Sequence, residues 1–234
     1  GLGGTATILA ATHPSGRFVG IDFMAMHIAS AQRFAADAGA SNVAFHHASF
    51  AEAATLNLPM FDYIVVHGVY AWVDAGTRQE LTSFIEQRVK PGGLVYVSYN
   101  ALPGRGPDVG LQRLLRMIAQ GEAGNSLERM NAAMAVVRNL TQQRPVALDG
   151  LLAQVAQWEG REHRDTQYLA HELMTEHWMP LFVNDVRAAM AKIGLAPVGS
   201  ASLIDNHDSF VLRRAERDVL APIKDDDARE LARD

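Results

Sequence analysis

The chain has 234 residues, 48% of them hydrophobic, and carries 21 Lys and Arg against 26 Asp and Glu, a formal net charge of -5. That is ample apolar material for an ordinary core, and the acidic balance argues against general nucleic-acid binding. Cysteine is absent, which excludes disulfides, thiolate zinc sites and a cysteine nucleophile, and with no apolar run of membrane-spanning length and no signal peptide the expectation is a cytoplasmic protein.

The chain opens on a glycine turn, Gly1-Leu2-Gly3-Gly4-Thr5, that runs into the apolar stretch from Ala6 to Ala11. Such a turn normally follows a central strand, so the opening predicts part of a longer gene product. Phe18–Asp22 then reads as a strand ending in an acid. A glycine turn with an acid at a strand's end about 20 residues on is how an α/β sheet grips a nucleoside. Glycine lets the backbone approach the ligand, helix N–H groups face it, and the carboxylate accepts from both ribose hydroxyls.

Further strands are predicted at Val43–His47, residues 61–67 and residues 94–99. They are short and apolar, as expected of parallel strands covered on both faces. Ile28, Ala31, Ala35 and Ala38 repeat at helical spacing between the first two. Thr77-Arg78-Gln79-Glu80 reads as a capping box ahead of Leu81, Phe84 and Ile85. This alternation predicts a doubly wound, Rossmann-like, mostly parallel sheet whose first strand is missing from the chain.

From Asp108 to about Met179 the strand signal vanishes. Leu127, Met130, Met134 and Val137 form one amphipathic stripe, and Leu151, Val155 and Trp158 begin another, with breaks at Pro145, Gly150 and Gly160. Pro180 suits a helix start, with Phe182, Val186, Ala189 and Ile193 on its buried face. Residues 195–203 and 209–212 read as closing strands. The domain reading is therefore a core over 1–103, a helical insertion over 104–179 that caps the site, a final helix and strands over 180–215, and a charged, solvated tail over 216–234.

The glycine turn also fits G-x-G-x-x-A, which keeps a nicotinamide-dependent oxidoreductase open, and Asp22 does not separate the two, since both nucleosides offer a ribose diol. The segments Phe61-Asp62-Tyr63-Ile64 and Lys90-Pro91-Gly92-Gly93 discriminate. Behind the glycine turn and the acid-ended strand, they resemble class I S-adenosylmethionine-dependent methyltransferases. His67-Gly68-Val69-Tyr70-Ala71-Trp72-Val73, Ser98-Tyr99-Asn100-Ala101-Leu102-Pro103-Gly104 and Tyr168-Leu169-Ala170-His171-Glu172 narrow the resemblance. They look like a subfamily with an appended methyltransferase regulatory domain, some of whose relatives methylate protein lysines.

The resemblance implies S-adenosylmethionine as cofactor and S-adenosylhomocysteine as product. Gly1 and Gly3 would line the methionine and ribose, Asp22 would bind the ribose hydroxyls, and Phe23 would pack on the adenine. Ser49, beside Phe50, stands where the family commonly has an aspartate for the adenine amine; a hydroxyl accepts that bond without charge assistance. His67 and Gly68 complete the expected cofactor set.

Methyl transfer from a sulfonium is an in-line displacement that needs alignment and water exclusion rather than a metal. Tyr70, Trp72 and Tyr99 follow two strand ends and are expected to wall a methyl-transfer pocket, with Asn100 as a hydrogen-bonding neighbour. Tyr168 and His171 are further candidates for the substrate side. Tyr70, Tyr99, Asn100 and His67 are the candidate catalytic groups, His67 as a base. His171, Glu172 and His177 do not have zinc spacing, since histidines six apart fall on different helix faces. His46-His47 sits on a strand and is assigned no chemistry. The expected acceptor is a protein side chain or a small molecule. The lack of an N-P-P-Y type motif argues against exocyclic amines of bases, and no metal or membrane partner is expected. A non-catalytic partner-binding module on the same fold is the rival outside enzymology.

Overall fold

The computed structural model describes residues 1–143, 153, 155, 170, 172 and 174–233. It is an α/β fold with parallel strand pairs, and it divides into two compact units. The first comprises Gly1–Ile64 with Ala75–Leu94, and the second Val65–Asp74 with Val95–Asp234.

In the first unit, α1 (Gly4–Thr12) follows the glycine turn and leads to β1 (Phe18–Asp22). The amphipathic α2 (Ala25–Asp37) buries Ile28, Ala31 and Ala35, while Ala38 falls just beyond the helix as its cap. β2 (Val43–His47) pairs with β1 in parallel, with Phe18 opposite Val43 and Asp22 opposite His47. α3 (Phe50–Thr55) and α4 (Ala75–Arg88) close the core, in which Ala48, Ala53, Leu58 and Phe84 pack with Val19, Ile21, Leu56 and Phe61. Arg88 ties this core together by donating to the carbonyls of Ala54, Leu56 and Leu58 at 2.8 to 2.9 Å. Helix α4 begins at Ala75, so Thr77 lies in its first turn instead of capping it, although Leu81, Phe84 and Ile85 are buried as the spacing predicts.

β3 (Phe61–Val66) and β4 (Val89–Val97) pair with each other and run from the first unit into the second. The expectation of cover on both faces does not hold for them. Ile64 and Val66 are buried while Tyr63 and Val65 are exposed, the two-residue alternation of a half-covered sheet. β4 also starts earlier than expected and takes in the Lys90-Pro91-Gly92-Gly93 bend. Gly92 has φ 77, and a Cβ at Gly93 would lie 2.9 Å from the Lys90 carbonyl and 3.1 Å from that of Asp62.

The second unit is mostly helical. α5 (Gly106–Gln120) and α6 (Ser126–Gln142) pack through Leu111, Leu115, Ala119, Met130, Ala133, Met134 and Val137, joined by Val155 and Ala170. Asn125 starts α6 by accepting from the N–H groups of Leu127 and Glu128 at 3.0 Å, a cap the stripe alone does not reveal. Leu127 itself stays exposed. Leu151 and Trp158 lie outside the described residues.

Two corrections follow in the last third. Pro180 does not open a helix: Leu181–Phe182 is a short strand, β6, paired in parallel with β5 (Ala101–Leu102), and the helix, α7, spans Val183–Ala191 and buries Val186. Nor do residues 195–203 and 209–212 form strands. A 3-10 turn covers Leu203–Asn206 and a helical turn, α8, covers Asp208–Val211. The Asn206 amide accepts from Ser200 N–H at 2.7 Å and donates to the Ser200 carbonyl at 2.9 Å, taking the place of a partner strand. Val198, Leu203 and Phe210 are left exposed, so the apolar run that suggested strands is not core.

The charged tail is helical and mostly exposed. α9 (Arg214–Leu220) and α10 (Asp226–Arg233) follow, and α10 is capped by Asp225, whose carboxylate accepts from Ala228 N–H at 2.8 Å. Arg187 of α7 pairs with Asp227 at 3.3 Å and Glu230 at 3.7 Å, while Asp208 pairs with Arg233 at 3.4 Å and with Arg229 at 2.5 Å.

Candidate functional site

The glycine turn is built for close packing. Gly3 has φ 73, a left-handed conformation that side chains disfavour, and a Cβ there would lie 2.5 Å from Ala31 Cβ and 2.9 Å from the Phe45 ring. The turn is thereby pressed against α2 and β2. Around Gly1 and Gly4 an added Cβ would meet open space. Thr7 N–H bonds the Gly3 carbonyl at 2.9 Å, which starts α1 there and leaves its first-turn N–H groups without acceptors inside the helix.

Asp22 ends β1 beside this turn. Its Oδ1 accepts from Met24 N–H at 2.7 Å, and its Oδ2 accepts from His27 Nδ1 at 3.2 Å and from the Gly1 nitrogen. Burial opposes the charge on Asp22, but the hydrogen bonds from the Gly1 nitrogen, Met24 and His27 outweigh it and hold the carboxyl below its ordinary range. Only 13% of the Asp22 side chain is exposed, so it does not point into bulk water. Phe23, the next residue, is 73% exposed and free to cover a planar ring.

Ser49 also has a structural task. It caps α3 in a reciprocal box, accepting from Glu52 N–H at 3.2 Å while its own N–H and hydroxyl donate to Glu52 Oε2 at 2.8 and 2.9 Å. Its hydroxyl proton is committed, and one lone pair remains. Phe50 is the first residue of α3 and is half-buried. The first unit thus brings Gly1, Gly3, Asp22 and Phe23 together at the end of β1, with Ser49 and Phe50 two and three residues past the end of β2.

In the second unit, His67 follows β3 and stacks on Tyr96 with ring centroids 6.1 Å apart. Gly68, at φ 64, donates its N–H to Ser98 Oγ at 2.9 Å. Tyr70 is buried at 4% exposure; Trp72 and Tyr99 are half-buried. Asn100 is buried too. Its carbonyl accepts from Leu181 N–H at 2.9 Å, and its Nδ2 donates to Glu172 Oε1 at 3.2 Å. Arg105 binds Asp108 at 2.7 Å and lies 3.9 Å from Glu172, so Asn100, Arg105, Asp108 and Glu172 form one polar centre inside the unit. Tyr168 and His171 lie outside the described residues. A polar cleft of about 850 Å³ also lies in this unit, lined by Asn184, Arg187, Asp208, Asp227, Arg229 and Arg233 among others; its arginines are the ion-paired ones named above.

Two contacts were not legible beforehand. His27 reaches Asp22 from α2, and His47 Nε2 lies 2.9 Å from the Phe23 carbonyl. The only available signal for His27 was its position five residues past the acid, at the start of a helix.

Comparisons with known proteins follow this geometry. The family described as a methyltransferase domain matches residues 1–184, and the one described as a predicted methyltransferase regulatory domain matches residues 165–234. The regulatory match thus covers the last helices and not most of the 104–179 insertion. An uncharacterized protein of Synechocystis sp. is 32% identical over the whole chain, which covers 46% of that protein. An uncharacterized protein of Rickettsia prowazekii is 33% identical over 44% of this chain and 18% of its own length. Among solved structures, PKMT2 from Rickettsia typhi in complex with AdoHcy superposes with a TM-score of 0.77 at 21% identity, covering 96% of this chain and 43% of that one. The same Rickettsia protein in a second structure gives a TM-score of 0.75 at 23% identity, over 99% of this chain and 43% of the other. The chain therefore spans less than half the length of these relatives. Its match across residues 1–184, on an α/β frame shared with PKMT2, establishes that the chain belongs to the methyltransferase domain family.

Proposed function

We propose that this chain is the cofactor-binding part of an S-adenosylmethionine-dependent methyltransferase, with Asp22 holding the ribose diol. The observation that carries the reading is the Asp22 carboxylate, oriented by Met24 and His27 at the end of β1 beside the left-handed Gly3 turn. A carboxylate offers about four lone-pair positions. Met24 takes one on Oδ1 and His27 one on Oδ2, so with the Gly1 contact set aside each oxygen keeps one position, one for each hydroxyl. The residues present therefore fit a nucleoside.

S-adenosylmethionine supplies an electrophilic methyl group on a sulfonium. The chain's own residues bind and orient: Asp22 fixes the sugar, Phe23 covers the base, and the open space at Gly1 and Gly4 admits the ligand close to the backbone. Ser49 contributes its remaining lone pair to the adenine amine. A nucleophile on the acceptor displaces the sulfur in line, so positioning supplies the rate. The finer reading is a protein side-chain acceptor, supported by the likeness to PKMT2, with a small molecule as the alternative.

Thermal unfolding of the full-length protein with S-adenosylhomocysteine or NAD tests this. S-adenosylhomocysteine at 100 times its dissociation constant should stabilise by about 2.7 kcal/mol, and NAD should do nothing. Stabilisation by NAD alone would make the chain an oxidoreductase domain; no response to either would leave a partner-binding module. Transfer of labelled methyl from S-adenosylmethionine to proteins of a cell extract, against a small-metabolite fraction, then separates the acceptor classes.

A further inference from the structure

We infer that His27 and His47 are positioning residues for the nucleoside, acting from two different elements on the two-residue turn Asp22-Phe23. This rests on the reading of Asp22 above. The chemistry of the partners fixes the direction of both bonds. An ionised carboxylate only accepts, so His27 must donate through Nδ1 to Asp22 Oδ2 at 3.2 Å. A backbone carbonyl also only accepts, so His47 must donate through Nε2 to the Phe23 oxygen at 2.9 Å. The donors come from different elements: His27 from the first turn of α2, and His47 from the last position of β2, where it lies opposite Asp22 in the ladder.

The consequence follows from geometry. Met24 N–H restrains Oδ1 only, while Oδ2 is met by His27 and the Gly1 nitrogen. A second donor on the other oxygen sets its plane, and hence the direction of the lone pairs left for the sugar. His47 holds the peptide that follows, from which the exposed Phe23 ring projects. Neither histidine needs to touch the ligand. His27, at 34% side-chain exposure, is open enough to be replaced without emptying the core.

The test is isothermal titration of S-adenosylhomocysteine into the full-length protein and four variants. His27→Phe keeps a ring but loses the donor, and His27→Asn restores an N–H near the Nδ1 position. His47→Ala removes the second donor, and His47→Gln restores it near Nε2. We expect His27→Phe to weaken binding on the order of tenfold and His47→Ala on the order of threefold, with Asn and Gln each recovering most of the loss. Unliganded melting temperatures are measured alongside. The inference is overturned if wild type binds and both donor-less variants bind equally well. It is also overturned if the Asn and Gln variants are as weak as the donor-less ones, since shape rather than donation would then explain the loss. Absence of binding by wild type would instead defeat the nucleoside reading of Asp22, and this inference with it.

Discussion

Asp22 and Asp208 show two ways of fixing a carboxylate at the end of an element. Asp22 is held by short nitrogen donors: the Gly1 nitrogen, Met24 N–H two residues on, and His27 from the next helix. Asp208 is held by two arginines, Arg229 and Arg233, on long side chains from α10. The first arrangement constrains the direction of the carboxylate and still leaves it lone pairs to spend. The second satisfies charge with charge, and its strength depends on how well water and salt screen the pair. Short donors suit a binding group, whereas long ion pairs suit the docking of a helix such as α10, in which no residue is fully buried.

Neither device is the main source of stability, and the largest expected effect comes from packing. Leu115 is fully buried between α5 and α6, and Leu115→Ala should cost about 2–5 kcal/mol in denaturant unfolding. A loss below 1 kcal/mol would mean that the α5–α6 core is not the stabilising layer of the second unit.

Gly3→Ala comes next. The left-handed backbone costs about 1–2 kcal/mol for a side chain, and the added Cβ meets Ala31 Cβ at 2.5 Å, so helix or ring must shift. Reduced stability together with weaker S-adenosylhomocysteine binding is the expected result; unchanged binding would separate the turn from the Asp22 site.

Acid titration sharpens the contrast. The native carboxyl of Asp22 titrates below its ordinary value of 3.8, so its contribution to stability is present in full above that value. It is lost as pH falls through the native value. Asp22→Asn should therefore lower stability at neutral pH and flatten the acid limb below about pH 4, so that the two proteins converge in acid. An unchanged acid limb would contradict the hydrogen-bonding account of Asp22.

The smallest effect belongs to Asp208→Asn. At low salt it should destabilise by less than about 1 kcal/mol, and the difference should shrink at 1 M salt. A salt-independent loss would imply that α10 docks by apolar contact instead.

Much of the first unit was legible in the sequence because local signals there agree. β1 and β2 have the predicted bounds, since a short apolar run between polar turns leaves little choice. Asp22 was found from its place at a strand end. The second unit resisted the same reading. Residues 195–212 carry strand-like apolar runs, but Asn206 hydrogen-bonds back to Ser200 and none of the described strands pairs with them. The helix after Pro180 starts late because residues 181–182 pair with β5, a contact some eighty residues distant that no local pattern encodes. At the site, Ser49 was read from a family alignment position, whereas Glu52 three residues on was the better guide to its cap. The histidine donors were missed for a similar reason: His47 acts across the ladder, and only the register reveals its partner.

The central claim is that Asp22 is an oriented acceptor for a ribose. The direct measurement is the dissociation constant for S-adenosylhomocysteine of wild type against Asp22→Asn, at neutral pH and fixed salt. Replacing a carboxylate that accepts two hydroxyl donors should weaken binding by about 10- to 100-fold. Equal affinity in the two proteins would contradict the account.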